Sequence, residues 1–118
     1  MKEPVRPFLT IKGLTVKELT FDSEDDSVFV QFQENAHLRA WVKFTIQPEN
    51  TPLTAFTGKT VEEVIESEGA LDLLFQDGLS ITLDFTARFG DEYAVEILLY
   101  SNYSCDPPVS CVMQKGEL

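Results

Sequence analysis

Two stretches of this chain alternate apolar and polar residues over the length of a β-strand, and each continues after a turn. The first pair of runs covers 28–32 and 38–46, and the second pair covers 71–75 and 81–85. A period of two places every second side chain on one face of a strand, so that face can be buried while the other meets water. The pattern predicts half-buried antiparallel strands and an all-β fold.

The two stretches also match each other as an internal repeat. Upstream of the alternating runs, GLTVKEL at 13–19 corresponds to GKTVEEV at 58–64. The offset between equivalent residues then falls from 45 to 43, which two additional residues in the acidic loop at 22–26 would explain. Two copies are too few to close a propeller. We therefore predict an antiparallel sandwich or curled sheet built from two related β-meander units.

We interpret the chain as a single domain, because 118 residues can bury a core without help from a disulfide or a metal. The units span about 13–46 and 58–101, and residues 102–118 are expected to form a C-terminal loop because of the Pro-Pro pair at 107–108. No run approaches the roughly 20 apolar residues of a membrane-spanning helix, and the N-terminus lacks a secretory signal. We expect a soluble, cytoplasmic protein that does not bind membranes.

Turn residues predict which positions pair across each hairpin. A three-residue loop at 76–78 with Gly78 in the left-handed region would pair Leu73 with Ile81, because loop length sets the strand register. Asn35 is expected to take the place of Gly78 in the first unit, since asparagine tolerates left-handed geometry better than most residues.

Two segments are less regular. Residues 60–68 fit either a strand, like their counterpart in the first unit, or a short helix that begins with a capping box, and we favour the strand. A last strand is expected at about 93–101, after a turn at 90–91.

Negative charge is concentrated in the second half of the chain. Residues 1–59 carry eight acidic and seven basic side chains, a net charge of −1, whereas residues 60–118 carry twelve acidic and two basic ones, a net charge of −10. Contacts to a nucleic-acid backbone need clustered Lys and Arg, so this composition argues against direct nucleic-acid binding. The negative charge favours a basic partner, because it would attract that partner during approach. Alternatively, the charge serves solubility alone.

Residue types that usually carry catalysis are sparse. His37 is the single histidine, and no Gly-x-Ser-x-Gly nucleophile elbow accompanies it. Cys105 and Cys111 are separated by five residues, so free thiols are favoured over a disulfide, and a disulfide over a zinc site. The acidic loop at 22–26 lacks the glycine and the terminal glutamate of an EF-hand. We predict no enzymatic activity, no metal and no cofactor.

Carboxylates of the second unit are the main candidate binding residues. We expect them to lie side by side on its outer face and on the adjoining segment, where Lys or Arg of a partner would offset their repulsion. Leu74, Leu98 and Tyr100 are expected to add apolar contacts on the same face. On the first unit, one outer face is expected to carry His37, Arg39, Trp41 and Lys43. Trp41 beside Arg39 is a candidate anchor, unless the N-terminal segment covers it. The predicted partner-binding residues are Glu62, Glu63, Glu66, Glu68, Asp72, Asp84, Glu96 and Trp41.

The run GKTV at 58–61, followed after a spacer by ALDLLFQDG at 70–78, resembles a pattern in small all-β bacterial proteins, some of which are similar to toxin-immunity proteins. The resemblance covers about 58–85 and, less closely, 13–44. Immunity proteins bind and block a toxin made by the same or a neighbouring cell. The resemblance therefore implies a non-enzymatic inhibitor, without catalytic residues. The turn at Asn35 departs from the pattern, as does the longer acidic loop of the first unit.

The leading hypothesis is an acidic, immunity-protein-like inhibitor that neutralises a basic protein, such as a nuclease toxin. Two alternatives stay open. A phage-type anti-defence protein would imitate the charge of nucleic acid and compete with it for a host protein. A self-assembling structural or adaptor module would pair through an exposed edge strand. The sequence does not indicate an oligomeric state.

Overall fold

Nine strands form two antiparallel sheets in the computed structural model, which describes residues 7–24, 26–67, 69–88 and 96–114. The strands are β1 (Val16–Asp22), β2 (Ser27–Phe32), β3 (Ala36–Ala40), β4 (Val42–Gln47), β5 (Val61–Ser67), β6 (Ala70–Phe75), β7 (Ser80–Arg88), β8 (Glu96–Asn102) and β9 (Val109–Gln114). Short 3₁₀ segments precede β1, β5 and β7, at Pro7–Ile11, Leu53–Phe56 and Gln76–Gly78. The predicted all-β fold is confirmed, and the two packed sheets make it a sandwich.

Each sheet contains the first three strands of one unit and one strand from the other, and β9 adds a fifth strand to the first sheet. The five-stranded sheet has the order β1-β2-β3-β8-β9, and the four-stranded sheet has the order β4-β7-β6-β5. The chain bends at Trp41 and passes from β3 in one sheet to β4 in the other, where Ile46 lies opposite Ile81. In the opposite direction, β8 pairs with β3 and places Tyr100 opposite Leu38.

The two units meet at a junction whose hydrogen bonds are reciprocal. Thr15 forms an antiparallel bridge with Thr60, and their Oγ1 atoms are 3.0 Å apart. Two backbone hydrogen bonds of 2.8 Å flank the bridge, from Gly13 N–H to Val61 O and from Gly58 N–H to Val16 O. The partners are equivalent in the repeat, so the same contact is made twice about a local pseudo-two-fold axis.

The predicted hairpin register is confirmed. Leu73 lies opposite Ile81, and the equivalent Val30 lies opposite Leu38. Gly78 has φ 75° in the turn of the second unit, and Asn35 has φ 56° in the first. The turn residues therefore set the register through left-handed backbone, as their chemistry predicts.

The change of offset within the repeat has its predicted origin in the first loop of each unit. Four residues lie between the paired Asp22 and Ser27 in the first unit, and two lie between Ser67 and Ala70 in the second. The first unit thus carries two additional residues in its acidic loop.

Predictions for the segments at 60–68 and 102–118 have opposite outcomes in the structure. Residues 61–67 form β5, so the preference for a strand over a helix is confirmed. The predicted C-terminal loop over 102–118 is wrong for Val109–Gln114, which forms β9 and pairs with β8. Proline removes a donor only at its own position, and pairing resumes at Val109 directly after the Pro-Pro pair. The predicted start of the last strand near 93 lies outside the described residues, within which β8 begins at Glu96.

Equivalent residues from the 3₁₀ segments that precede β1 and β5 help to fill the core between the sheets. Ile11 precedes β1 and Phe56 precedes β5, and both side chains are completely buried. Phe56 packs edge-to-face on Phe75, with ring centroids 5.2 Å apart. The segments therefore cap the core at the same end as the junction between the units.

Tyr100 is the largest of the fully buried side chains, and its hydroxyl is hydrogen-bonded. The oxygen lies 2.8 Å from Thr10 Oγ1, and the Asn102 side-chain amide donates to it at 3.1 Å. Burial raises the pKa of Tyr100 above its ordinary value of 10, because the ionised form loses its hydration, although the hydrogen bonds act in the opposite direction.

We expect Tyr100 to make the fold less stable at alkaline pH. Above a pH of about 10 the unfolded chain loses the phenol proton while the buried Tyr100 keeps it, so the free energy of unfolding decreases as pH rises toward the raised pKa. Below that pH the contribution is fully present. Tyr100→Phe should cost about 1–3 kcal/mol at neutral pH, since Asn102 loses a partner, and should lose less stability than wild type above pH ~10. Denaturant unfolding of wild type and Tyr100→Phe, at neutral pH and above pH ~10, measures these differences. If both proteins lost the same free energy of unfolding at alkaline pH, the prediction would be wrong.

Candidate functional site

The outer face of the four-stranded sheet carries three of the predicted carboxylates. Glu63, Asp72 and Asp84 lie on the neighbouring strands β5, β6 and β7, and each projects away from the core. The register places Glu63 opposite Leu74 and Asp72 opposite Ile65, whose side chain is 44% exposed. These five residues are called the acidic face below. They combine charge with apolar area, as protein-binding surfaces do.

Carboxylates on the acidic face lie on a diagonal and not directly opposite one another. Asp72 lies opposite Thr82, whose hydroxyl donates to its carboxylate, and Asp84 lies opposite Lys43. Diagonal neighbours in a sheet are about 7–8 Å apart, which weakens their repulsion relative to directly opposed charges. The hairpin register predicted from the sequence pairs Asp72 with Thr82 and not with another carboxylate, and this pairing is confirmed.

The edge strand β5 extends this charge with the exposed Glu62 and Glu66. Charged side chains on an edge strand discourage pairing with another sheet, and that role alone could account for them. The repeat offers a comparison, because Lys17 and Phe21 of β1 are the equivalent residues. Phe21 packs on Phe44, with ring centroids 5.7 Å apart. The fold therefore accepts other residues here, and the carboxylates are a property of the second unit and not of the architecture.

Ion pairs neutralise part of the charge of the second unit. Lys12 Nζ lies 3.8 Å from Glu63 Oε2, and Lys59 Nζ bonds to the Asp77 carboxylate. Both lysines belong to the first half of the chain. The Lys12–Glu63 pair is well exposed, so its contribution to stability is small, at most about 1 kcal/mol.

Several predicted site residues are not brought together with the acidic face. Glu68 lies outside the described residues. Glu96 begins β8, which belongs to the five-stranded sheet, so its predicted place on the outer face of the second unit is wrong. Leu98 and Tyr100 are also misplaced in the prediction, because both are completely buried. A β-bulge between Glu96 and Leu98 shifts the alternation of inward and outward residues in β8. Polar residues do not alternate regularly along this strand, so the sequence does not show which of its side chains face the core.

Trp41 lies at the bend between β3 and β4 and is partly buried. Its predicted neighbour Arg39 turns to the outer face of the five-stranded sheet, where its guanidinium carbon lies 4.9 Å from the centre of the Phe29 ring. Lys43, beyond the bend, lies in the other sheet. The first unit therefore has no single outer face from 37 to 43, because the chain changes sheets within it.

A second surface, on the five-stranded sheet, combines the outward positions predicted for His37 and Arg39 with residues that the sequence analysis did not single out. The register aligns Phe29, Arg39, Leu99 and Val112 in one row across β2, β3, β8 and β9. His37 lies 6.0 Å from the Phe29 ring and 6.4 Å from the Tyr103 ring, measured between centroids. This outward-facing group is called the aromatic face below, and it comprises Phe29, His37, Arg39, Leu99, Tyr103 and Val112. The sequence contained one indication of this surface, because Phe29 is apolar at a position of the alternating run 28–32 where a polar residue is expected.

The turn between β8 and β9 borders an open cleft of about 720 Å³. Thr10, Cys105 and residues 106–110 line it. Cys105 and Cys111 are both partly buried and are not joined by a disulfide. Within the described ranges, no three His, Cys, Asp or Glu side chains are grouped as metal ligands would be.

Among the residues that the structure describes, no helix has the length and apolar character needed to cross a membrane.

Comparisons of the chain with models of known families, with curated proteins and with solved structures found no match. The resemblance to toxin-immunity proteins therefore stays a prediction from the sequence.

Proposed function

We propose that this chain is a non-enzymatic inhibitor that binds a basic protein through the acidic face and the adjoining edge strand β5. The observation that carries the proposal is the placement of carboxylates on three neighbouring strands, with Ile65 and Leu74 between them. Apolar side chains provide contact area, whereas the carboxylates select a partner that bears Lys or Arg.

The spacing of the carboxylates supports a protein partner with regularly placed cations. Alternate residues of an extended strand point to one side at intervals of about 6.6–6.8 Å, close to the diagonal spacing of about 7–8 Å on the acidic face. Lys and Arg side chains are long enough to absorb the difference. A nuclease toxin is a suitable partner, since the cations that bind phosphate would also bind these carboxylates.

The positions of the titratable residues support a binding role over acid–base catalysis. His37 lies on the aromatic face, whereas Asp72 and Asp84 lie on the opposite sheet. A general base needs its partner groups within hydrogen-bonding distance, directly or through one water. Groups on opposite outer faces of a sandwich cannot meet this requirement.

A tagged pull-down from a lysate of the source organism tests the proposal. We expect one basic protein to be retained at low salt and weakened at high salt, because screening reduces attraction between exposed charges. If the captured protein is a nuclease, adding the chain should inhibit its cleavage of nucleic acid. Recovery of the folded bait alone, or of a partner that is indifferent to salt, would contradict the proposal.

A further inference from the structure

Four outward side chains of β5 and β6 form a checkerboard within the acidic face. Glu63 lies opposite Leu74 and Ile65 lies opposite Asp72, so carboxylates occupy one diagonal and apolar side chains occupy the other. Ile65 therefore adjoins Asp72 across the sheet, at a Cβ separation of about 4.5–5.5 Å, and Glu63 along its own strand, about 6.6–6.8 Å away. These four residues are called the checkerboard below.

The first unit shows that the fold does not require this arrangement. At the equivalent positions Glu18 lies opposite Gln31, and Thr20 lies opposite Phe29. Thr20 thus stands where the second unit has Ile65, whose side chain is 44% exposed. An exposed isoleucine gains little from burial in its own fold, and the equivalent strand accepts threonine. Its apolar surface is therefore available to a ligand.

Both carboxylates of the checkerboard are oriented by neighbours in the chain. Glu63 Oε1 accepts the Val64 N–H at 3.3 Å, and Asp72 Oδ1 accepts the Thr82 hydroxyl. Lys12 Nζ lies 3.8 Å from the other oxygen of Glu63, farther than the roughly 2.8 Å of a close charged hydrogen bond. A carboxylate has about four lone-pair sites, so both groups keep acceptors for a ligand while part of their side-chain entropy is already lost.

We propose that the checkerboard binds an arginine side chain of the basic partner, an inference that rests on the proposed inhibitor function and specifies what its site recognises. Arginine packs its methylene stem on apolar surface while its charged head stays at the water boundary. The stem would lie on Ile65 and Leu74. The planar guanidinium has five N–H donors and can donate to both diagonal carboxylates, whereas the ammonium of lysine is a compact point charge.

Titration of the chain with blocked tripeptides at low salt, followed by NMR, tests this preference. The probes are Thr-Arg-Thr, Thr-Lys-Thr and Thr-citrulline-Thr, the last having the shape of arginine without its charge. We expect the methyl signals of Ile65 and Leu74 to shift with the arginine probe, with a dissociation constant on the order of 1–10 mM. The lysine probe should bind about fivefold more weakly, and the citrulline probe should cause no shift at the same concentrations.

Substitutions that keep the net charge separate this site from general attraction to an acidic chain. Ile65→Thr and Leu74→Gln introduce the residues of the first unit, so the fold should tolerate them. The double variant should bind the arginine probe about tenfold more weakly, because both apolar contacts are reduced. Val112→Thr is the matched control, since Val112 is 43% exposed on the other sheet, and it should leave the affinity unchanged.

Equal affinities for the arginine and lysine probes would overturn the inference, as would a double variant that binds like wild type. The proposed function is tested separately by the pull-down. A chain that binds the arginine probe at the checkerboard but retains no basic protein would keep this inference and refute the inhibitor function. A captured basic partner that the double variant binds as tightly as wild type would refute the arginine site alone.

Discussion

Replacing Glu62, Glu63 and Glu66 together with lysine should weaken binding of the captured basic partner about 100-fold at low salt. The three side chains are exposed on β5, so the change turns three attractive contacts into repulsive ones with little effect on the core. Asp72 and Asp84 are left unchanged, since they have cross-strand neighbours within the sheet. The dependence of the affinity on salt should also become flatter, because fewer ion pairs remain to be screened.

A variant with the same net charge but different charge positions serves as the control. Glu18→Lys, Glu24→Lys and Glu49→Lys alter three exposed carboxylates of the first half of the chain. Binding should change little in this variant, apart from the small long-range effect of net charge. Isothermal titration calorimetry at low and high salt measures both variants. Equal weakening by the two would show that total charge, and not the placement of the carboxylates on β5, determines binding.

The second large effect is expected in the core. Phe56→Ala should lower the free energy of unfolding by about 3–5 kcal/mol, because it leaves a cavity and removes the edge-to-face contact with Phe75. A domain of this size is typically stable by only about 5–15 kcal/mol, so the variant should unfold at a much lower urea concentration. Trp41 is the only tryptophan and provides the fluorescence signal.

Two further variants test whether Phe56 acts through burial. Leu9→Ala removes apolar atoms from the other 3₁₀ segment at a side chain that is 52% exposed, and should cost less than about 1 kcal/mol. Ile11→Ala removes the buried residue equivalent to Phe56 and should cost about 2–5 kcal/mol. If Phe56→Ala lowered the free energy of unfolding no more than Leu9→Ala does, the core would have relaxed into the cavity left by the phenylalanine ring.

The hairpins could be predicted from the sequence because local chemistry determines them. Gly78 and Asn35 sit where the backbone needs a left-handed residue, and this fixes the pairing of Leu73 with Ile81 without any distant contact. The carboxylates of the acidic face were identified for the same reason. Once the register of a hairpin is known, the parity of every residue in it follows.

Sheet membership could not be predicted in the same way. The alternation from Leu38 to Ile46 continues through the bend at Trp41, because the inner faces of both sheets border one core. A residue that points inward therefore looks the same whichever sheet it joins. In β8, Leu98, Leu99 and Tyr100 are consecutive apolar residues, so the sequence could not tell the buried Tyr100 from the outward Leu99. His37 and Arg39 were predicted to face outward, but Leu99 and Val112 were not placed beside them, because this row combines strands that are distant in the chain.

The exchange of strands between the units has a consequence for how the chain can be divided. A cut in the connection at 48–52 would separate β4 from its neighbour β7, and β3 from its neighbour β8. The first fragment would carry β4 without its sheet, and the second would carry β8 and β9 without theirs. The fragments would expose apolar edges when apart and would complete each other only by reassociating. The two repeat units are therefore not independent domains, and neither is expected to fold when it is expressed alone.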